Sequence, residues 1–326
     1  MAIVTNTKDT GPRWLSGVEL ARMIPQKREY LIDELLPAIG VVLVTADAKA
    51  GKSTLALECC RAVCTGTRAL DTFTAQPGAA LYWMADDGSE GRFIRNYQEV
   101  FDGAGLPNFQ AGIFRLPLSE GGNEELIAAL HRTKARLVVI DCLTSIRGVQ
   151  NDKDFVRREY DELRILADLS SAHKCCIVVL HHRATAKRGS PDNPFRQTAG
   201  SYSLNAAVDG LLTIGLYSIT RSERIVTLAG RDMDSSTFLY ARDRDRKLFF
   251  VGGAQWVECW DDALRVYRHL QARTVDGSAV AEALGIADRN GRARLARWRA
   301  AGIVEDIGSR RHAWSDAFVS VAERLQ

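Results

Sequence analysis

The sequence predicts an α/β protein: a mostly parallel β-sheet flanked by helices, an antiparallel extension along one side of it, and a small C-terminal domain of short helices and a hairpin. Three observations carry that reading. From Ile39 onward, β-branched apolar runs alternate with helical patterns, the arrangement of parallel strands joined by crossover helices. The later runs follow one another without helices between them, which is how antiparallel strands extend such a sheet. After Gly252-Gly253 the pattern changes to short helices separated by turn residues.

At 326 residues the chain exceeds what one core usually fills, so two domains are expected: residues 37–255 for the sheet and 256–326 for the C-terminal part, with 1–36 as an N-terminal extension. The 43 Lys+Arg against 40 Asp+Glu leave a net charge of +3, so a nucleic-acid role has to come from local clusters of charge. Seven cysteines, an odd number set mostly inside apolar patterns, read as reduced packing residues. Residues 1–13 are polar and lack the apolar core of a signal peptide, and no uncharged stretch approaches membrane-spanning length. A cytoplasmic location with no membrane partner is the expectation.

In chain order, a short amphipathic helix is expected over 15–23, ending before Pro25. Strands are expected at 41–45, 79–84, 112–115, 137–141 and 176–180, then at 208–215, 225–229, 238–242 and 248–251. Two long polar connections, 144–154 and 183–199, interrupt the pattern, and loops of that length in a compact domain usually serve function.

The apolar run Val41-Val42-Leu43-Val44 leads into Ala46-Asp47-Ala48-Lys49-Ala50-Gly51-Lys52-Ser53-Thr54, and the helical pattern Leu55-Ala56-Leu57-Glu58 follows. A strand, a tight loop ending in Gly-Lys-Ser and a helix together aim backbone N–H groups and a helix N-terminus at a polyphosphate. Residues 48–54 are thus the candidate nucleotide loop, with Lys52 on the terminal phosphates and Ser53 on Mg²⁺. Ala46 stands where this loop usually starts with glycine, which tolerates positive φ better. The strand Leu137-Val138-Val139-Ile140 ends in Asp141, a carboxylate placed to hold Mg²⁺ beside Ser53. The run Leu81-Tyr82-Trp83-Met84 ends in Ala85-Asp86-Asp87, where Asp86 is the candidate base for an attacking water and Asp87 an N-cap for the next helix. A fourth run ends in His181-His182-Arg183, placing His182 as a γ-phosphate sensor at the root of a long loop. Cys175-Cys176 and the histidine pair lie at opposite ends of that one strand, away from zinc-ligand spacing.

With these elements in order, residues 16–253 resemble the RepA-like ATPases of the RecA superfamily, found as plasmid and phage replicative helicases and related to DnaB-type hexamers. The resemblance rests on the lead-in Tyr30-Leu31-Ile32-Asp33-Glu34-Leu35-Leu36-Pro37, the loop Asp47-Ala48-Lys49-Ala50-Gly51-Lys52-Ser53 and the paired histidines. Ala85-Asp86-Asp87 stands where the family has a Glu-Asp pair. The segment from Thr198-Ala199-Gly200-Ser201 to Ala207-Val208-Asp209 and the strand end Leu228-Ala229-Gly230-Arg231-Asp232 complete it. It implies a RecA-like fold, ATP and Mg²⁺ as ligands, and a homo-oligomer, expected as a hexamer. It also implies that Arg231 acts as a trans arginine finger in a neighbour's site, although the family's preceding lysine is replaced by Ala229. Asp86 is one methylene shorter than the family's glutamate and Ala46 replaces the loop glycine, so slow hydrolysis is expected.

Two regions suggest nucleic acid. The loop after His182 carries Arg183, Lys187, Arg188 and Arg196, and in RecA-like rings such loops line a channel and hold single-stranded DNA by its phosphates. The other long loop adds Arg147 and Lys153. In the C-terminal segment, helices are expected at 262–271, 278–285 and 289–301 with a hairpin over 303–314, an order resembling a winged-helix domain. Seven arginines lie between Arg289 and Arg311 against Glu305 and Asp306, and Arg292, Arg299, Arg310 and Arg311 are the candidate DNA contacts. The expected function is a ring-forming, ATP-hydrolysing helicase on single-stranded DNA. The other reading is an ATP-switched initiator or regulator whose winged helix binds duplex DNA.

Overall fold

The computed structural model describes residues 14–23, 28–46, 49–85, 90–147, 155–182, 207–217, 222–231 and 233–325, the side chains of 155–159 excepted. The lead-in helix α1 (Gly17–Arg22) starts at a capping box in which Ser16 and Glu19 satisfy each other's backbone N–H groups. A small antiparallel pair, β1 (Tyr30–Ile32) and β2 (Leu36–Pro37), then leads into β3 (Gly40–Ala46).

All seven residues of β3 are buried, as a strand covered on both faces requires. Its side chains divide by the period of two: Val42 and Val44 point into one apolar layer, Val41 and Leu43 into the other. The helix α2 (Lys52–Thr65) follows, then the short ribbon β4 (Arg68–Ala69) and β5 (Phe73–Thr74), and β6 (Ala80–Met84). Next come α3 (Glu90–Val100), β7 (Phe109–Ile113), α4 (Gly122–Thr133), β8 (Leu137–Asp141), α5 (Phe155–His173) and β9 (Cys176–His182). Helix α2 and Phe93 of α3 contribute to the first layer, while α4 and α5 contribute to the second.

The remaining strands are β10 (Gly210–Leu216), β11 (Arg224–Gly230), β12 (Met233–Arg242) and β13 (Leu248–Gly253). Among the described residues the main sheet has nine strands in the order β13-β12-β11-β10-β3-β9-β8-β6-β7. From β10 to β7 every pairing is parallel, and β10 through β13 pair antiparallel. The mostly parallel sheet and its antiparallel extension therefore stand as read from the sequence.

Several details differ. Strand β12 begins at Met233 rather than 238. Strand β7 begins at Phe109 rather than 112, and Phe114, expected inside the strand, instead folds its ring back over Gly112. As an edge strand with half-buried residues, β7 lacks the continuous apolar signal of its neighbours. The first C-terminal helix, α6 (Ala254–Leu270), begins eight residues before the expected 262, because Trp256, Val257 and Trp260 give its early turns an apolar face. Ala46 is the last residue of β3, extended and paired with His182, so no positive φ is asked of it and its methyl strains nothing.

After α6 come β14 (Thr274–Asp276), α7 (Gly277–Leu284), α8 (Asp288–Ala300), β15 (Val304–Asp306), β16 (Arg311–Trp314) and a further helix, α9 (Asp316–Arg324). The three strands form an antiparallel sheet in the order β14-β16-β15. Helices α7 and α8 touch at Gly277 and Gly291, where a Cβ on Gly291 would collide with the Gly277 carbonyl. One apolar cluster joins Leu239, Ala241, Phe249 and Val251 of the large sheet to Trp260, Trp298 and Phe318. Trp260 is fully buried, and its indole N–H donates to buried Glu223 at 3.1 Å. Among the described residues no helix is long and apolar enough to cross a membrane.

Candidate functional site

Strands β3 and β6, which follow one another among the strands of the main sheet, are separated in it by β9 and β8. In open α/β sheets such a reversal of strand order leaves a crevice at the carboxyl ends of the strands, where ligands bind. The register aligns those ends: Ala46 lies opposite His182, and Asp141 lies between Leu180 and Met84. The crevice holds a cavity of about 300 Å³, lined by Lys52, Ser53, Asp141 and His182 among others.

One wall is the start of α2. Its N-cap, Gly51, has φ +97°, the left-handed region that glycine occupies without strain, and Lys49 before it has φ +64°. Among the described residues no side chain caps this helix, and no acidic residue stands in its first turn; its start lines the cavity with its amide N–H groups and the positive end of its dipole. Lys52 is buried, with Nζ 3.5 Å from the Ala46 carbonyl and 3.5 Å from His182 Nδ1. Ser53 Oγ donates to Asp141 Oδ2 at 2.7 Å. Sequence spacing alone brought these four residues together, and the fold does place them in one cavity.

Two participants carried no sequence signal. Tyr82 donates its hydroxyl to the same Asp141 oxygen at 2.7 Å; burial, then the Asp141 charge, pushes its pKa far up, so it stays a donor. In a strand of apolar residues Tyr82 reads as packing. Arg242, at the end of β12, donates to Thr54 Oγ1 at 2.8 Å across 188 residues of chain, a pairing that no local pattern announces.

Ser53 and Asp141 offer only oxygen ligands, converging on one point of the cavity wall, and this donor set fits Mg²⁺, which is commonly held by one or two protein oxygens together with phosphates and water. Among the described residues there is no cluster of three or more His, Cys, Asp or Glu side chains fit to hold a metal unaided.

Other expected residues lie elsewhere. Arg231 is exposed at the end of β11, and Gly230 pairs with Gly210, which pairs with Val42 near the start of β3. This is the edge of the sheet opposite the chain's own cavity. There the Arg231 carbonyl accepts from Arg28, and Asp209 receives the Val41 N–H at 2.9 Å. Arg147, expected as a loop cation for DNA, is buried with Nε 3.6 Å from Glu162, so its charge is spent inside the fold. Ala48, the candidate base Asp86 and the loop cations Lys153, Arg183, Lys187, Arg188 and Arg196 lie outside the described residues.

In the C-terminal unit, α8 buries Gly291, Leu295 and Trp298 and leaves Arg292 and Arg299 exposed, seven residues apart and so on one face. Arg299 lies 3.3 Å from Asp306, Arg294 pairs with Asp262, and Arg311 donates to Thr274 at 2.8 Å. Arg310 and Arg311 are exposed at the β15–β16 turn.

The sequence model described as AAA domain matches residues 14–188, more than half of the chain. None of the curated proteins compared matches in sequence. Among solved structures, the ATPase domain of G40P superposes with a TM-score of 0.50 at 12% identity, covering 64% of this chain and 83% of its own. The RadB recombinase gives 0.45 at 16% identity, with 66% and 91% covered. A KaiC-like protein from Pyrococcus horikoshii OT3 gives 0.48 at 11% identity, with 69% and 99% covered. The first of these likenesses shows the fold to be RecA-like.

Proposed function

The chain belongs to the AAA domain family, and on that premise we propose that it is a ring-forming, DNA-dependent ATPase of the RepA-like kind, translocating on single-stranded DNA. The observation that carries the ATPase reading is the Ser53–Asp141 hydrogen bond beside buried Lys52 at an uncapped helix start, a wall of the polarity that a nucleotide polyphosphate requires.

ATP enters with its terminal phosphates against the α2 amides and the Lys52 ammonium. Ser53 and Asp141 would hold Mg²⁺, which when bound would offset phosphate charge. Tyr82 fixes the Asp141 carboxylate by a hydrogen bond. Asp86 takes a proton from water as its oxygen attacks the γ-phosphorus; the bond to the β–γ bridging oxygen breaks, and ADP and inorganic phosphate result. His182, beside Lys52, reports phosphate occupancy to the loop that follows it. Arg231, remote from its own cavity, acts in the site of a neighbouring subunit, which makes a closed homo-oligomer, a hexamer, the working form.

The C-terminal elements support a winged-helix unit over 256–326: a helix, a strand, two helices and a hairpin closing a three-stranded sheet. Arg292, Arg299, Arg310 and Arg311 would meet duplex phosphates, and Arg183, Lys187, Arg188 and Arg196 the single strand.

The test is ATP hydrolysis by purified protein with and without single-stranded DNA, beside duplex unwinding and size measurement. The reading expects DNA-stimulated hydrolysis by an oligomer, lost in Lys52→Ala, and hydrolysis but not nucleotide binding lost in Asp86→Asn. A protein that stays monomeric with Mg-ATP and DNA, or hydrolyses ATP without unwinding, overturns the helicase.

A further inference from the structure

Strand β12 runs toward the same sheet edge as β3, because it pairs antiparallel with β11, which pairs antiparallel with β10. Its last residue, Arg242, therefore arrives beside the start of α2. The guanidinium lines the 300 Å³ cavity with Lys52 and also a second cavity of about 240 Å³ lined by Gly51, Ser222, Arg224 and Tyr240. The two cavities meet at Lys49, Gly51, Thr54 and Arg242.

Thr54 is one residue past Ser53, hence turned about 100° around the helix axis from it. Ser53 faces Asp141, whereas Thr54 faces Arg242. From Lys52 and Ser53, the junction of the cavities, which Thr54 lines, is open to the remaining length of a nucleotide. Arg242 stands at that junction with its fork already oriented: Nη2 donates to Thr54 Oγ1 at 2.8 Å and Nη1 lies 3.7 Å from Glu99 Oε2 of α3. Arg246 Nε lies 3.1 Å from the same Glu99 oxygen, so two guanidinium charges share one carboxylate. The excess positive charge is what an anion at this point would neutralise.

We infer that Arg242 is a nucleotide-binding residue that holds the α-phosphate, with Glu99 and Thr54 presenting its guanidinium. The inference rests on the reading of the cavity as an ATP site and adds a contact from the antiparallel extension, 188 residues along the chain from Thr54. Since ATP and ADP share the α-phosphate, both depend on Arg242 equally.

Equilibrium titration of ADP and of a non-hydrolysable ATP analogue tests it, with Lys52→Ala as the control. Arg242→Ala is expected to weaken both nucleotides to a similar extent, roughly tenfold or more, and to raise KM more than it lowers kcat. Arg242→Lys, which keeps the charge but loses the fork, should recover part of the affinity. Should Arg242→Ala melt early, Thr54→Val and Glu99→Gln, each expected to weaken both nucleotides about threefold, carry the test. A loss confined to the ATP analogue overturns the assignment, because the contact would then be to the γ-phosphate. Unchanged affinity, while Lys52→Ala abolishes binding, overturns it too and leaves the ATPase reading standing. No binding by the unaltered protein overturns that reading itself.

Discussion

Ser53 Oγ donates to Asp141 Oδ2 at 2.7 Å, so the first turn of α2 and the end of β8 are joined by the two oxygens that would share a metal. Asp141→Asn keeps the shape and removes the charge. It should leave nucleotide binding within a few-fold and lower Mg²⁺-dependent turnover by about 10²–10³, the scale of losing one electrostatic partner of a transition state. Tyr82→Phe, which removes only the second donor to that carboxylate, should cost much less and raise the Mg²⁺ concentration needed for half-maximal rate. A magnesium titration of ATPase rate measures both.

Arg231 lies at the edge of the sheet away from its own cavity, so the catalytic role proposed for it requires a neighbour. Lys52→Ala and Arg231→Ala proteins should each be inactive alone. Mixed before assembly, they should regain part of the rate through sites that combine an intact Lys52 with an intact Arg231. Absence of regained activity at every mixing ratio removes Arg231 from the mechanism.

Arg292, Arg299, Arg310 and Arg311 are all exposed, but Arg299 pairs with Asp306 and Arg311 donates to Thr274. Arg292→Ala and Arg310→Ala should therefore weaken duplex binding more than Arg299→Ala does. Each lost phosphate contact should reduce the slope of log affinity against log salt by about 1. Fluorescence anisotropy over a series of salt concentrations gives the slopes.

Burial raises the Cys64 thiol to about 11 and Cys175 to about 12. In the unfolded chain a thiol ionises near 8.5. Between these values the folded protein binds more protons than the unfolded one, so stability is full below about pH 8.5 and falls as pH rises toward the folded values. Urea midpoints should decline from pH 8 to pH 11, and Cys175→Ala should flatten that decline.

Trp260 fills the C-terminal core and satisfies buried Glu223. Trp260→Ala should cost about 3–5 kcal/mol, from the cavity and the orphaned carboxylate together. Thermal unfolding followed by circular dichroism would register it.

The sheet was legible because parallel strands are covered on both faces and so appear as unbroken apolar runs: Val41-Val42-Leu43-Val44 and Leu137-Val138-Val139-Ile140 admit few other readings. Lys52, Ser53, Asp141 and His182 were legible because each ends or follows such a run, and the chemistry of an α/β crevice collects at strand ends. Strand β7 was misplaced because an edge strand alternates weakly, and α6 was started late because Trp256 and Trp260 bury against a sheet formed earlier in the chain. Arg147 reads locally as a loop cation because Glu162, its partner, lies fifteen residues further along the chain. Arg242 and Tyr82 were invisible for a common reason: each finds its partner through the tertiary fold, across 188 and 59 residues.

Leu239, Ala241, Phe249 and Val251 turn one face of the antiparallel extension toward α6 and the helices behind it. A fragment ended at Gly253, where the sequence suggests a clean boundary, would hold that face open to water. It should associate through its exposed strands and fail as a soluble ATPase for reasons unrelated to catalysis. Expression of the nucleotide site on its own therefore calls for polar replacements along that face, or for keeping α6.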